Sequence, residues 1–293
     1  MNYGSSGWDQ LKHHTWQLKN KLLRLFKPIV IAKWSQYVEN TYILNLTSRK
    51  DRKNLLSKEL QKIHTSNENT LLDHVEWFPA INGNQFKIDK NSISQVFGTI
   101  HISEYPFAWH WLTDPDPAFL PEMDKYLEME LECSDSEIAI AIGHILMWKK
   151  FRKSKTNSAL FLEDDIVFSH DFEERFNAIM EDELPEDWDI LYLSSLPSQY
   201  GFAWTEYSKN LVAIEMGVWW MSGYMVSKSG VEKLLKALPI VGPVDVWINH
   251  QFKDLNSYVV KGNIIDQNDR GMSNNTYSFQ DEFWSGWSYE PPT

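Results

Sequence analysis

Short apolar runs alternate with amphipathic stretches along this chain, and that alternation leaves few folds open to it. Tyr42-Ile43-Leu44-Asn45-Leu46 reads as a strand and "TSRKDR" as a turn, after which Leu55, Leu56, Leu60 and Ile63 fall on one side of a helix. A second short unit, "HVEWFPAINGN", ends in the turn signal Asn82-Gly83. From about 86 to 132 the pattern is poor, and Pro106, Pro115, Pro117 and Pro121 predict an irregular insertion. Regularity returns at Ser134-x-x-Glu137, a capping box ahead of Ile138, Ala141, Ile142, Ile145 and Trp148, and Asp171 with Glu174 predicts another ahead of Phe172, Phe176 and Ile179. Between these helices lies the strand Ala159–Leu162. The strands "DILYLSS" and "GYMVS" follow, then a helix carrying Val231, Leu234, Leu235 and Leu238, stopped by Pro239. Strands alternating with helices predict an α/β fold whose mostly parallel sheet is covered on both faces.

The run at 159–162 ends in three consecutive carboxylates, Glu163, Asp164 and Asp165. Adjacent negative charges repel, and a desolvated carboxylate is costly until something positive neutralises it. In open α/β sheets ligands bind beyond the carboxyl ends of the strands, where this triplet falls. Alternation along an extended backbone sends Glu163 and Asp165 to one side and Asp164 to the other, a clamp that suits Mn²⁺ or Mg²⁺ and leaves positions for diphosphate oxygens and water. The competing reading is a solvated turn whose acids cap the next helix.

Four blocks resemble glycosyltransferase family 25, which holds lipooligosaccharide galactosyl- and glucosyltransferases and collagen galactosyltransferases. "YILNLTSRKDR" resembles its opening strand and turn, "FPAINGN" its Ala-x-x-Gly element, "SEIAIAIGHILMWKKF" its Glu- and His-bearing helix, and "ALFLEDDIVF" its Glu-Asp-Asp strand end. "GYMVSKSGVEKLL" and "PVDVW" are weaker matches, and the likeness spans about residues 41 to 250. The family's usual Gly, Gly, Cys and Ser in the helix are here Ser136, Ala139, Ile140 and Gly143, while Glu137, His144 and Trp148 are kept.

The resemblance implies a GT-A type glycosyltransferase with a Rossmann-like nucleotide half, and inverting transfer of a hexose, galactose foremost, from a UDP-sugar with Mn²⁺ (or Mg²⁺). It places Asn45, Thr47, Arg49 and Arg52 near the nucleotide, though a surface ion pair accounts equally for either Arg. It assigns His144 to a phosphate and Asp164 to the ribose, with Glu163 and Asp165 on the metal. The alternative for His144 is a hydrogen-bonded core residue, and for Glu137 a helix cap alone. Asp245 is the candidate general base, against a reading as N-cap of a helix Val246–Phe252. Asp189 reads as structural, and Asp266, Asp269 and Ser273 belong to a loop that could close over the diphosphate. Implied boundaries are an N-terminal extension at 1–37, a GT-A domain at 38–270 with its nucleotide-sugar half about 38–195 and acceptor half about 196–270, and an aromatic arm at 271–293.

A formal charge of -12 argues against nucleic acid, which is held through Lys and Arg. The single Cys133 rules out an intrachain disulfide, and the N-terminus shows no signal-peptide pattern, so the expected location is cytoplasmic. Lys12 to Lys33 is basic with leucines interleaved, which suits peripheral membrane contact or, more plainly, a packed or frayed helix. Trp pairs at 109 and 111, 219 and 220, and 284 and 287 offer flat platforms for a glycan or glycoconjugate acceptor, although most such residues serve as core. Two rival functions are a metal-dependent phosphohydrolase using the same carboxylates, and a non-catalytic carbohydrate-binding protein.

Overall fold

Eight strands make the central sheet: β1 (Asn40–Asn45), β2 (Val75–Pro79), β3 (Ser158–Glu163), β4 (Ile190–Tyr192), β5 (Thr205–Glu206), β6 (Leu211–Ala213), β7 (Gly223–Ser227) and β8 (Ser257–Val260). The structure is a computed structural model that describes residues 7–27, 29–38, 40–85, 87–98, 133–197, 204–215 and 217–268. In the order β2-β1-β3-β7-β4-β8-β6-β5, six strands point one way and only β7 and β6 oppose them. β1 lies parallel to both β2 and β3, with Leu44 opposite Phe78 on one side and Glu163 on the other. β7 runs antiparallel between β3 and β4 and sets Gly223 opposite Leu162. This is the mixed, mostly one-directional α/β sheet expected of a Rossmann-like GT-A fold.

Seven α-helices accompany it among the described residues: α1 (Gly7–Phe26), α2 (Trp34–Tyr37), α3 (Lys50–Leu60), α4 (Asp135–Lys153), α5 (Phe172–Ala178), α6 (Lys228–Lys236) and α7 (Val244–Asn249). Side-chain alternation along the strands divides the core in two. Tyr42, Phe161, Tyr192 and Tyr224 face Ile138, Trp148 and Trp247 of α4 and α7. Ile43, Leu160, Leu162 and Met225 face the opposite way, onto Leu56, Leu60, Phe172 and Phe176 of α3 and α5. Helices thus cover both faces, and the strand ends between the layers stay open for a site.

Local chemistry explains most boundaries. Both halves of the Ser134 capping box form: the Glu137 N–H donates to Ser134 Oγ at 3.1 Å, and the Ser134 N–H donates to Glu137 Oε2 at 2.9 Å. Glu137 is therefore a cap. The box expected at Asp171 does not form; Asp171 holds the N-cap position without a side-chain bond, at φ -106° and ψ 19°. Ile63 and Leu238 lie past the ends of α3 and α6, and Ile63 packs in the second core. Of the stretch expected to be an irregular insertion, only 87–98 is described, with a short helical turn at Lys90–Ile93; the rest, the C-terminal arm and the Trp pairs at 109, 111, 284 and 287 lie outside the described residues. A ribbon that periodicity did not suggest pairs Ile166–Phe168 with Ile265–Gln267 and brings the chain back beside the acidic triplet.

Candidate functional site

The carboxyl ends of β1 and β3 open into a cleft of about 320 Å³. Glu163, Asp164 and Asp165 form its floor, with Arg52 from the first turn of α3 on one side and Asp245 from the first turn of α7 on another. The expected alternation fails here. Glu163 ends β3, but Asp164 and Asp165 lie in a turn, which swings both toward Arg52. Arg52 Nη1 donates to Asp164 Oδ1 at 2.9 Å and lies 3.2 Å from Asp165 Oδ2. Asn45 Nδ2 donates to Asp164 Oδ2 at 2.7 Å, so Asp164 is held at both oxygens from β1 and α3. One oxygen is left over: Asp165 Oδ1 is buried with no hydrogen-bond partner.

The electrostatics follow from that burial. Desolvation, then the neighbouring Asp165, push Glu163 up to about 8, against a hydrogen bond with Ser222 that favours its charged form. Burial also raises Asp165, and Arg52 opposes the shift. Asp245 is raised by burial although backbone N–H groups of Val246 and Trp220 donate to it. Asp245 is not an N-cap: Pro243 holds that position, and the helix runs Val244–Asn249 rather than Val246–Phe252. Its carboxylate instead lines the cleft and is among the charges raising Glu163. Three acids that resist ionisation so close together form a site that favours a cation.

Among the described residues no three His, Cys, Asp or Glu side chains are grouped so as to hold a metal by themselves. The donors present nevertheless fit a hard divalent ion that takes only one or two carboxylates and completes its shell with water and phosphate oxygens. The unpartnered Asp165 Oδ1 and the desolvated Glu163 carboxylate beside it are the observations that support the fit.

His144 is the hydrogen-bonded core residue that one of the two readings described. It is fully buried, with Nδ1 2.8 Å from Tyr224 Oη, and Trp148 Nε1 donates to that same hydroxyl at 2.9 Å. Because the hydroxyl accepts from Trp148, its own hydrogen can go to Nδ1, which puts the imidazole hydrogen on Nε2. Burial lowers the ring to about 4, so it is neutral. Nε2 is buried with no partner in the described structure, and the residue borders the cleft. Gly143, standing where the family has Ser, passes Leu44 so closely that an added Cβ would lie 2.8 Å from Leu44 Cδ2. A Ser at this position would require Leu44 to shift.

Thr47 and Arg49 do not line the cleft, although the Arg49 charge opposes the rise in the proton affinity of Asp165. Both sit on the turn after β1, with Thr47 exposed and Arg49 in a surface pair with Asp51 at 2.8 Å. Asp189 is structural, buried under Lys233 Nζ at 2.6 Å. Asp266 is buried beside the cleft, whereas Asp269 and Ser273 lie outside the described residues.

No sequence signal pointed to Ser222 and Gln267, whereas Trp220 belongs to the Trp pair at 219 and 220 already singled out. Gln267 Nε2 donates to Ser222 Oγ at 2.8 Å and lines the cleft from the returning ribbon. Trp220 is at φ 74°, an uncommon conformation for a bulky residue, on the cleft wall next to Asp245. The Asn82-Gly83 turn, which was legible, forms the opposite wall; a Cβ on Gly83 would stand 2.3 Å from the Asp135 carbonyl oxygen.

A sequence model described as Glycosyltransferase family 25 (LPS biosynthesis protein) matches residues 38–248. A "Glycosyltransferase 25 family member" of Aedes aegypti is 28% identical over 222 residues, 74% of this chain and 31% of that protein. "Procollagen galactosyltransferase 2" of Homo sapiens is 29% identical over 122 residues, 38% of this chain and 19% of that protein. The chain thus spans no more than about a third of the length of these relatives. The inositol-1-phosphate CTP transferase structure from T. maritima superposes with a TM-score of 0.31 at 9% identity, over 85% of this chain and 97% of that one, a likeness too slight to bear on function.

Proposed function

The chain belongs to glycosyltransferase family 25, and on that premise we propose that it transfers a hexose, galactose foremost, from a UDP-sugar to a hydroxyl of a glycan or glycoconjugate. The observation that carries this reading is the unpartnered, buried Asp165 Oδ1 on the floor of a cleft it shares with Glu163 and Asp245. Glu163 and Asp165 would hold Mn²⁺ (or Mg²⁺). When bound, such a cation neutralises charge on a diphosphate leaving group.

The chain's own groups account for the rest. Arg52 and Asn45 fix Asp164, through both its carboxylate oxygens, at the edge of the cleft assigned to the nucleotide. His144, neutral and hydrogen-bearing at Nε2, is a donor for a phosphate oxygen. Asp245 is the general base: it lines the cleft, and burial raises its proton affinity above that of an ordinary carboxylate. The acceptor hydroxyl attacks the anomeric carbon opposite the departing diphosphate, its proton passes to an Asp245 carboxylate oxygen, and the configuration inverts. The Trp220 side chain, on the same wall, suits the flat C–H face of an acceptor ring.

The test is a panel of nucleotide sugars incubated with Mn²⁺ or a chelator while nucleotide release is followed. Release of uridine diphosphate from one donor, lost on chelation and in Asp165→Ala, supports the transferase. Inorganic phosphate as the product assigns the site to a phosphohydrolase instead. Silence with every donor and a panel of glycan acceptors leaves a carbohydrate-binding protein.

A further inference from the structure

Helix α1 is amphipathic the wrong way round for a helix that packs on a core. Its polar side faces the body of the protein: Gln17 Nε2 donates to the Asn268 carbonyl at 2.6 Å, Asn20 Oδ1 accepts from the His170 N–H at 3.1 Å, and Arg24 Nη2 donates to the Ser169 carbonyl at 2.7 Å. Just past its end, Lys27 Nζ donates to the His170 carbonyl and pairs with Glu174 at 2.9 Å. These bonds fix the helix's rotation. Leu18, Leu22 and Leu25, spaced to share one helical face, are consequently turned outward at 60%, 51% and 75% exposure, and Ile29 beyond them is 74% exposed. Leu25 and Ile29 also line a groove against α3 in which Leu55 is exposed, so the apolar surface continues past the helix itself.

Charge identifies the occupant. Residues 12 to 33 hold six basic residues and no acid, within a chain whose formal charge is -12. Arg24 and Lys27 are spent on the docking contacts. Lys19 and Lys21 flank the leucine face, are exposed, and pair with no acid among the described residues. An apolar stripe edged by lysines is the pattern of a helix lying in the headgroup region of an anionic bilayer, the lysine stems covering apolar surface while their ammonium groups meet phosphates. No helix among the described residues is long and apolar enough to cross a membrane, which is consistent with lying on one.

We propose that the outward face of α1, centred on Leu18, Leu22 and Leu25 and edged by Lys19 and Lys21, docks the protein on an anionic lipid surface. The proposal stands on α1 alone and is independent of the transferase reading. Its test is co-sedimentation of the full chain with vesicles of phosphatidylcholine alone or mixed with phosphatidylglycerol. Binding is expected only to the anionic vesicles, falling as salt rises. Lys19→Gln with Lys21→Gln should weaken it roughly 30-fold, and Leu22→Gln with Leu25→Gln should abolish it.

Because all four side chains are exposed, thermal melts should be unchanged. A second readout does not depend on those variants. Cys133, the chain's single cysteine, is buried, so a cysteine placed by Leu22→Cys takes an environment-sensitive fluorophore selectively, and its emission should shift to the blue with anionic vesicles. Equal binding to both vesicle types, no binding and no shift, or a dimer that Leu22→Gln with Leu25→Gln dissociates in sedimentation velocity would each overturn the proposal, the last by assigning the face to a second copy.

Discussion

Glu163→Gln tests the electrostatic core of the site without substrate. In the folded protein Glu163 keeps its proton up to about 8, whereas the unfolded chain releases it near the ordinary 4.5. Between those values unfolding releases a proton, so stability contributed by the protonated form is complete below 4.5 and is lost as the pH rises toward 8. At about 1.4 kcal/mol per pH unit the window is worth on the order of 5 kcal/mol at most, since the proton is shared with neighbouring Asp165. For 293 residues, unfolding entropy of roughly 2.1 cal/mol/K per residue converts that into a fall in Tm of up to about 8 °C. The assay is thermal denaturation in a chelator from pH 5 to 8.5, wild type beside Glu163→Gln. Wild type should lose stability across the window and level off above it. The variant should show a much flatter profile, with a residual slope from Asp165 and Asp245, which are raised in the same direction. Parallel profiles would refute the reasoning, because Glu163 would then titrate alike folded and unfolded.

Arg52→Ala strips a side chain paired with both Asp164 and Asp165, and leaving buried carboxylates uncompensated should cost about 3 kcal/mol in denaturant unfolding at neutral pH. Tyr224→Phe removes the hydroxyl that bonds His144 Nδ1 and Trp148 Nε1; the expected loss is about 2 kcal/mol, and a double-mutant cycle with His144→Ala should show a coupling of about 1 kcal/mol. Asp245→Asn should lower kcat by roughly 10² to 10⁴ while donor affinity holds, which steady-state kinetics with donor and acceptor varied separately will show.

The layered fold was legible because its signals are local. The Ser134 box and the strand at 159–162 depend on near neighbours and formed as read, while of the helical stripe Leu56 and Leu60 are buried, Leu55 is exposed and Ile63 lies past the helix end. Failures came where distant contacts decided. The acidic triplet was read as extended, but a turn at Asp164 and Asp165, held by Arg52 and Asn45, overrode alternation. Arg49 and Arg52 look equivalent in sequence; one helical turn sends Arg52 inward and leaves Arg49 to pair with Asp51 on the surface. His144 could be weighed but not placed, because its partner Tyr224 is 80 residues away. The ribbon that delivers Gln267 and the φ of Trp220 have no local signature. For Lys12 to Lys33 the sequence left open a membrane-facing or a packed or frayed helix, and only the long-range bonds of Gln17, Asn20 and Arg24 show which side of α1 meets the body of the protein.

Calorimetric titration of uridine diphosphate into the protein addresses the acidic floor most directly, run with Mn²⁺ and with a chelator, for wild type and Asp165→Asn. Uridine diphosphate should bind the wild type in the presence of Mn²⁺ and lose that binding both on chelation and on substitution. Binding of equal strength in the chelator, or by Asp165→Asn, would contradict the account, since the buried oxygen would then have no cation to hold.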